Sequence, residues 1–237
     1  MIKAYIGTSG YSYDDWVGKF YPKGLPREEW LSFYASKLNT VELNVTFYRT
    51  PKQSMFATWA RKTPKDFHFV LKGSRFVTHM RRLHEVEESL RFFFESASPL
   101  KEKLKVVLWQ LPPKFPADLK LLKEFVGLLP SKVRHAFEFR DKSWLNEGVY
   151  DILRKQNAAL VFSDHPFDIT EPATTDFLYM RRHGPDGKYH VAYPNRDLAK
   201  DAQLIKKYGL LSYEFFNNDV EAVGAKNALT LKEMVTK

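Results

Sequence analysis

Residues 134–164, RHAFEFRDKSWLNEGVYDILRKQNAALVFSD, read as a strand, a helix and a second strand. Apolar and polar side chains alternate over residues 134–140, whereas residues 145–156 are amphipathic with a helical period. Residues 158–164 form a short, mainly apolar segment. A period of two indicates a strand and a period of 3.6 indicates a helix. This order of elements is typical of a βαβ unit, in which the two strands are parallel.

The same alternation extends over the whole chain and yields eight predicted strands. Between them lie amphipathic segments, except in residues 165–176, which contain two prolines and show no helical period. The sixth helix is therefore predicted to be missing or replaced by a loop. The predicted strands are residues 3–7, 40–46, 67–73, 105–111, 134–140, 158–164, 177–183 and 211–217. The predicted helices are residues 26–38, 52–62, 83–97, 117–129, 145–156, 196–208 and 220–235.

The number of strands predicts the fold class. Eight βα units in 237 residues agree with a (β/α)8 TIM barrel, which typically has about 250 residues. The alternative is a doubly wound open sheet, which usually carries a glycine-rich phosphate loop after its first strand. Residues 7–10, Gly-Thr-Ser-Gly, do not match that loop. Because no Pro/Gly/Ser-rich linker divides the chain, residues 1–237 are predicted to form a single α/β domain, a TIM barrel.

Composition limits the classes of function. The chain has no cysteine, which excludes a disulfide framework, a thiolate nucleophile and cysteine-ligated metal sites. Its apolar runs are too short to span a bilayer, and its first residues lack the pattern of a signal peptide. A cytoplasmic protein with no membrane partner is therefore expected. The net charge of +9 suggests an anionic partner or only solubility.

Polar side chains are predicted to meet at one end of the barrel. TIM-barrel enzymes carry their chemistry at the carboxyl ends of the strands, and strand alternation separates inward from outward side chains. Polar residues near these ends fall on the inward face of seven predicted strands or in the loops directly after them. They are Glu42, Asn44, Lys72, Gln110, Glu138, Arg140, Asp164, Arg181, His183, Asn217 and Asn218.

This set can perform acid–base chemistry on an anion. Carboxylates beside lysine and arginine supply a general acid–base pair together with cationic groups that bind phosphate or carboxylate. The predicted catalytic residues are Glu42, Glu138, Asp164, Lys72 and His183. The predicted substrate-binding residues are Ser9, Trp16, Asn44, Tyr48, Arg75, His79, Gln110, Arg140, Trp144, Arg181, Asn217 and Asn218.

Other interpretations of the same residues stay open. Buried charges are costly unless paired, so the set is alternatively a structural ion-pair network. Lys72 is alternatively a Schiff-base lysine. The sequence shows no required cofactor and no HExxH motif, and a divalent metal held by histidines and carboxylates is an alternative. The basic residues between positions 72 and 84 are a solvated surface or a track for a phosphate backbone.

Seven motifs stand out along the chain: residues 7–13 (GTSGYSY), 39–48 (NTVELNVTFY), 72–79 (KGSRFVTH), 110–115 (QLPPKF), 137–140 (FEFR), 179–184 (YMRRHG) and 216–219 (FNND). They resemble those of the YecE-like proteins, a family of unknown function with a TIM-barrel fold. The resemblance implies the fold and no particular reaction. Two positions depart from the family pattern: Tyr11, where tryptophan is usual, and Arg182, where an aliphatic residue is usual. Arg182 is predicted to lie on the outer face of the seventh strand.

The leading hypothesis is a barrel enzyme, for example a hydrolase, that acts on an anionic, phosphate-bearing substrate at the carboxyl ends of the strands. That substrate is an anionic small molecule or a nucleic acid. One alternative is a non-catalytic nucleic-acid-binding protein. Another is a sugar-modifying enzyme with paired carboxylates. The oligomeric state is not encoded in these patterns.

Overall fold

Eight parallel strands surround a common axis in the computed structural model, which describes residues 3–236. Hydrogen-bonded neighbours follow the order β1-β8-β7-β6-β5-β4-β3-β2. This arrangement confirms the predicted TIM barrel, although the outermost bounds of the predicted domain, residues 1 and 237, lie outside the described residues. The strands are β1 (Ala4–Thr8), β2 (Thr40–Leu43), β3 (His68–Lys72), β4 (Leu104–Gln110), β5 (Arg134–Glu138), β6 (Ala159–Ser163), β7 (Phe177–Arg182) and β8 (Leu211–Phe216).

Helices follow every strand except β6, so the prediction of a missing sixth helix is confirmed. No described helix has both the length and the apolar character needed to cross a bilayer. The helices are α1 (Trp30–Lys37), α2 (Val45–Tyr48), α3 (Gln53–Arg61), α4 (Glu87–Ala97), α5 (Leu119–Gly127), α6 (Glu147–Lys155), α7 (Asn195–Tyr208) and α8 (Val223–Thr236).

The second predicted strand is too long, because β2 ends at Leu43 and the short helix α2 begins at Val45. The β-branched residues of this segment imitate a strand in the sequence. In the structure, the hydroxyl of Thr46 donates to the carbonyl oxygens of Leu43, at 2.8 Å, and Lys72, at 2.7 Å. These bonds hold the turn of chain directly above the ends of β2 and β3.

The interior of the barrel is apolar in its lower part. Val70, Val106, Leu108, Val161 and Phe215 are fully buried there and pack against one another. On the other side of the strands, a second and larger apolar cluster joins the sheet to the helices. Burial of these apolar faces supplies the main driving force for folding.

Side chains and one backbone hydrogen bond, from the Gly10 N–H to the Glu42 oxygen at 2.7 Å, close the barrel between β1 and β2. The Tyr34 hydroxyl accepts a hydrogen bond from the Thr8 N–H and donates one to the Thr40 carbonyl oxygen, both at 2.9 Å. The Asn39 side chain bonds to two backbone groups of β1, each at 3.2 Å. Gly7 allows this close approach, because a Cβ atom there would lie 2.2 Å from the Thr40 oxygen.

Replacing Tyr34 by phenylalanine is expected to lower the free energy of unfolding by about 2–4 kcal/mol, because two buried backbone groups lose their partner. Denaturant unfolding of the full chain measures this change. Tyr208→Phe is the matched control, since its hydroxyl makes one 3.3 Å bond at the surface. Equal losses in the two variants would contradict the closing role of Tyr34.

An extended segment, residues 164–176, connects β6 to β7 where a helix is usual. Ile169 pairs with Ser163 through two backbone hydrogen bonds of 2.8 and 3.0 Å. The Thr174 hydroxyl accepts from the Leu160 N–H at 2.8 Å and donates to the Ala158 oxygen at 2.7 Å. These bonds attach the segment to the β6 region without a helix.

Candidate functional site

A cavity of about 600 Å³ opens at the carboxyl ends of the strands. The end or the following loop of every one of the eight strands contributes to its wall, which is the arrangement found in TIM-barrel active sites. The lining residues are Tyr13, Asn44, Tyr48, Lys72, His79, Gln110, Leu111, Pro113, Arg140, His165, Pro166, Arg181, Tyr189, Asn217 and Asp219.

Arg181 is the centre of a buried ion-pair network at the base of this cavity. Its Nε and Nη2 atoms donate to the two carboxylate oxygens of Glu42 at 3.0 and 2.7 Å, and its Nη1 atom donates to Glu138 at 2.7 Å. Glu42 also accepts hydrogen bonds from Tyr179, at 2.5 Å, and Ser9, at 2.7 Å. Both carboxylate oxygens of Glu42 therefore accept hydrogen bonds from protein donors.

The arginine keeps both buried carboxylates ionised. Burial alone would raise the pKa of Glu42 and of Glu138, but the charge of Arg181 holds both pKa values below the ordinary range. Neither side chain lines the cavity, and both are at most 1% exposed. Strand alternation correctly predicts that they point inward. Their contacts match the ion-pair alternative, whereas a catalytic role for them stays a prediction.

Arg140 connects this network to the cavity. It pairs with Glu138, and its Nη2 atom lies 3.3 Å from the Nε2 atom of His183. Its Nε atom is buried and has no hydrogen-bond partner among residues 3–236. The guanidinium thus lies in the wall with donor capacity that the surrounding protein leaves unused.

His183 and Asp164 form a pair behind the wall, and the Nε2 atom of His183 lies 3.2 Å from Nη1 of Arg181. The His183 ring nitrogen Nδ1 lies 3.0 Å from an Asp164 oxygen, and the Tyr193 hydroxyl donates to the other oxygen. Burial raises the pKa of Asp164, but the hydrogen bonds from His183 and Tyr193 bring it below its ordinary value. Burial lowers the pKa of His183. Neither residue lines the cavity, so their predicted catalytic role would require a path through Arg140 or Arg181, which contact His183 and face the cavity.

Lys72 faces the cavity without a carboxylate partner. Its Nζ atom lies 4.3 Å from the centre of the Phe47 ring, and no carboxylate oxygen within the described part of the chain is at ion-pair distance. Burial and the nearby charge of Arg181 lower its pKa to about 8. His79 is next to it in the wall, and burial together with the charge of Lys72 lowers its pKa to about 4, so its ring is neutral at pH 7.

The charged groups of the wall are mainly cationic. Lys72, Arg140 and Arg181 face the cavity, against the single carboxylate of Asp219. Burial raises the pKa of Asp219 above its ordinary value. Arginine and lysine are side chains that bind phosphate or carboxylate groups. In this wall Arg140 and Arg181 are also paired with the buried carboxylates of Glu138 and Glu42.

Five predicted substrate-binding residues lie outside the wall. Trp16 and Trp144 are fully buried, because their rings fill the space between the loops and the barrel. Their indole N–H groups donate to the backbone oxygens of Asp219 and Phe115, each at 2.6 Å. Neither ring has a face free for a ligand, which corrects their predicted position at the mouth. The other three are described next.

Ser9, Asn218 and Arg75 also differ from the predicted arrangement. The Ser9 hydroxyl is bound to Glu42, and the buried Asn218 side chain donates to the Val191 oxygen at 2.9 Å, anchoring a loop. Arg75 is exposed and does not line the cavity. Of the predicted substrate-binding residues, the structure places the remaining seven in the wall: Asn44, Tyr48, His79, Gln110, Arg140, Arg181 and Asn217.

Four polar residues of the wall are absent from the predicted site: Tyr13, His165, Tyr189 and Asp219. A signal exists for Asp219, which ends the polar run after β8, and for His165, which directly follows the sixth predicted strand. Tyr13 lies within a recognised motif. Tyr189 has no comparable signal, because it enters the wall through the fold of the loop after β7.

The described residues contain no preformed set of ligands for the metal that the sequence offers as an alternative. Between residues 3 and 236, no group of three or more histidine, aspartate or glutamate side chains is spaced to hold a metal ion. Glu42, Glu138 and Asp164 already accept hydrogen bonds from Arg181, His183 and other protein donors. A divalent metal at this site remains an untested prediction.

Comparisons with known proteins agree with the fold and the motifs. The family model described as "Protein of unknown function DUF72" matches residues 5–237. The crystal structure of a DUF72 family protein from Thermotoga maritima is 31% identical, with a TM-score of 0.86, and the alignment covers 99% of this chain and 100% of that one. A search of the curated proteins found no match.

More distant structures share the same architecture. A DUF72 family protein from Enterococcus faecalis is 21% identical, with a TM-score of 0.84, and the alignment covers 99% of this chain and 96% of that one. A methyltransferase from Methanosarcina mazei has a TM-score of 0.53 at 7% identity, over 98% of this chain and 94% of that one. At these identities the likeness shows the fold alone.

Proposed function

This chain belongs to the DUF72 family of unknown function, also named YecE-like, and from that premise we propose that it is a barrel enzyme acting on a small, phosphate-bearing anion. The substrate binds in the cavity at the carboxyl ends of the strands. The observation that carries the proposal is the cationic wall, in which Lys72, Arg140 and Arg181 face the same space.

The size of the cavity favours a small molecule. A volume of about 600 Å³ falls within the range of about 300–1,000 Å³ that is typical of ligand sites. Asn44 has a buried side-chain oxygen with no hydrogen-bond partner among the described residues, and it lies in the same wall. Together with Gln110 and Asn217, it offers amide groups to the hydroxyl or amide groups of a ligand.

Two other functions receive less support from the site. Glycoside chemistry needs two carboxylates that reach the substrate. Glu42 and Glu138 are instead held behind the wall by Arg181. For nucleic acid, the basic residues Arg81 and Arg82 after β3 do not line the cavity, so a backbone track there would be separate from the wall.

Arg140→Gln is expected to weaken binding of glycerol 3-phosphate by about 10–100-fold, because a hydrogen bond to a charged group contributes about 1.5–3 kcal/mol. Isothermal titration calorimetry on the full chain measures this change. Arg154→Gln, on the exposed face of α6, is the matched control and should bind as the unchanged protein does.

Two results would contradict the proposal. One is the absence of binding to glycerol 3-phosphate at millimolar concentration. The other is tight, strongly salt-dependent binding of duplex DNA that is lost on neutralising Arg81 and Arg82 but not Arg140, which would support the nucleic-acid alternative.

A further inference from the structure

We propose that Lys72 is a nucleophilic amine that forms an imine with a carbonyl group of the substrate. This inference rests on the proposed function, because it places the carbonyl on the same anion that the arginines hold. The substrate class is then an aldehyde or ketone that carries a phosphate or carboxylate group. The reaction is of the kind in which a lysine activates a carbonyl compound covalently.

The position of Lys72 suits this role. It is the last residue of β3, its side chain reaches the cavity, and its carbonyl oxygen is fixed by the Thr46 hydroxyl at 2.7 Å. The Phe47 ring, 4.3 Å from Nζ, covers one side of the amine. The backbone of Lys72 is therefore fixed, and its amine lies beside an aromatic ring in the wall of the cavity.

Burial is the main cause of the lowered pKa of Lys72, and the surrounding charges act on it in both directions. The charged groups that act on it are Arg181, Glu138, Glu42 and Arg140, and His79 lies in the same wall. Both glutamates are paired with Arg181, and His79 is neutral at pH 7. The two arginines lower the pKa of Lys72 and the two carboxylates raise it, so burial is the main cause that favours the neutral amine.

The resulting pKa of about 8 leaves roughly one tenth of the Lys72 side chain as free amine at pH 7. An ordinary lysine, with a pKa of about 10.4, has less than about 0.1% free amine at that pH. Because only the free amine attacks a carbonyl carbon, Lys72 should react faster than surface lysines, and its rate should rise with pH up to about 8.

The chemical step balances without an oxidant or reductant. The free amine attacks the carbonyl carbon, a C–N bond forms, and the C–O bond then breaks. Overall, the ammonium form and the carbonyl compound give an iminium ion and one water molecule, and the two hydrogens lost by nitrogen leave with the oxygen. His79, in the same wall and neutral at pH 7, can relay a proton between the nitrogen and the departing oxygen.

Trapping with a reductant tests the inference. The full chain is incubated with dihydroxyacetone phosphate and sodium cyanoborohydride at pH 7, and labelled lysines are located by peptide mass spectrometry. We expect Lys72 to be labelled at least about 10-fold faster than Lys120, an exposed lysine on α5, and glycerol 3-phosphate to slow this labelling by competition. Lys72→Arg should lose the label, whereas Lys120→Arg, on the exposed face of α5, should keep the label at Lys72.

The outcomes separate the two proposals. Binding of glycerol 3-phosphate without preferential labelling of Lys72 overturns the imine and leaves the anion site standing. No binding of either phosphate compound overturns the proposed function, and the inference with it. Labelling of Lys72 that glycerol 3-phosphate does not slow overturns the placement of the carbonyl on the bound anion. Circular dichroism of Lys72→Arg checks that the variant is folded.

Discussion

Replacing Arg181 by methionine is expected to lower the free energy of unfolding at pH 7 by about 3–5 kcal/mol, because it leaves two buried carboxylates without their shared cation. Glu42 would retain only the hydroxyls of Tyr179 and Ser9, and Glu138 only Arg140. Equilibrium unfolding in guanidinium chloride, followed by circular dichroism, measures the loss.

Two companion variants show whether the loss comes from the unpaired charge. Adding Glu42→Gln to the Arg181 variant should recover part of the stability, since one buried charge is removed with its partner. Arg154→Met on the surface of α6 should leave stability unchanged. A loss below about 1 kcal/mol for Arg181→Met would mean that the network contributes little to the fold.

Acid should destabilise the unchanged protein through the same network. The folded-state pKa values of Glu42 and Glu138 lie below their ordinary values, so their contribution is fully present above about pH 4.3 and is lost as the pH falls toward the lowered pKa values. The Arg181 variant should show a weaker loss over this acid range, because its carboxylates no longer favour the charged form.

In contrast to Arg181→Met, Glu214→Gln should raise the free energy of unfolding at pH 8, by more than about 1 kcal/mol. Glu214 lies on the outer face of β8 and is fully buried, with no hydrogen-bond partner for either oxygen among the described residues. Arg182 donates from Nε to Asp201 at 2.9 Å, whereas its Nε is 3.7 Å from Glu214. Arg182 is therefore hydrogen-bonded to Asp201, and Glu214 has only a longer ion-pair contact with the same guanidinium.

The sign follows from the pKa of Glu214, which burial and the neighbouring Asp201 raise well above its ordinary value. Folding then takes up a proton, so stability decreases as the pH rises above about 4.3, by up to about 1.4 kcal/mol for each pH unit until the raised pKa is passed. Glutamine does not titrate, so folding of the variant takes up no proton at this position. The two proteins should therefore be similarly stable near pH 4.5.

Urea unfolding at pH 4.5 and pH 8 measures the difference. Glu124→Gln, on the exposed face of α5, is the control and should follow the unchanged protein at both pH values. If Glu214→Gln is less stable than the unchanged protein at pH 8, Glu214 is ionised there and its pairing with Arg182 is favourable.

Strand alternation predicts the faces of the strands well. Gln110 lies inside with Val106 and Leu108, whereas Phe137 packs against α5 on the outside, as the alternation predicts. Arg182 contacts α7 through Asp201, which confirms its predicted outer position. These predictions succeed because the geometry of a strand fixes the side of each residue whatever its neighbours are.

The alternation does not encode how deeply a side chain is buried or which residues it contacts. Glu138 and Arg140 share one face in the sequence, yet Glu138 is buried under Arg181 and Arg140 reaches the cavity. Which of the two meets a ligand depends on β7, more than 40 positions away in the chain. The indoles of Trp16 and Trp144 show the same limit, since an aromatic residue in a loop fits a binding face and a core equally well.

The segment that replaces the sixth helix has a consequence for how freely its sequence can vary. A helix satisfies most of its own backbone hydrogen bonds, so many residue types can occupy its positions. The extended chain between β6 and β7 depends instead on particular side chains, above all the buried hydroxyl of Thr174, which bonds to backbone groups on both sides of residue 159. The connection without a helix is short, but it should tolerate fewer substitutions than a helix would, because single positions such as Thr174 need a particular side chain.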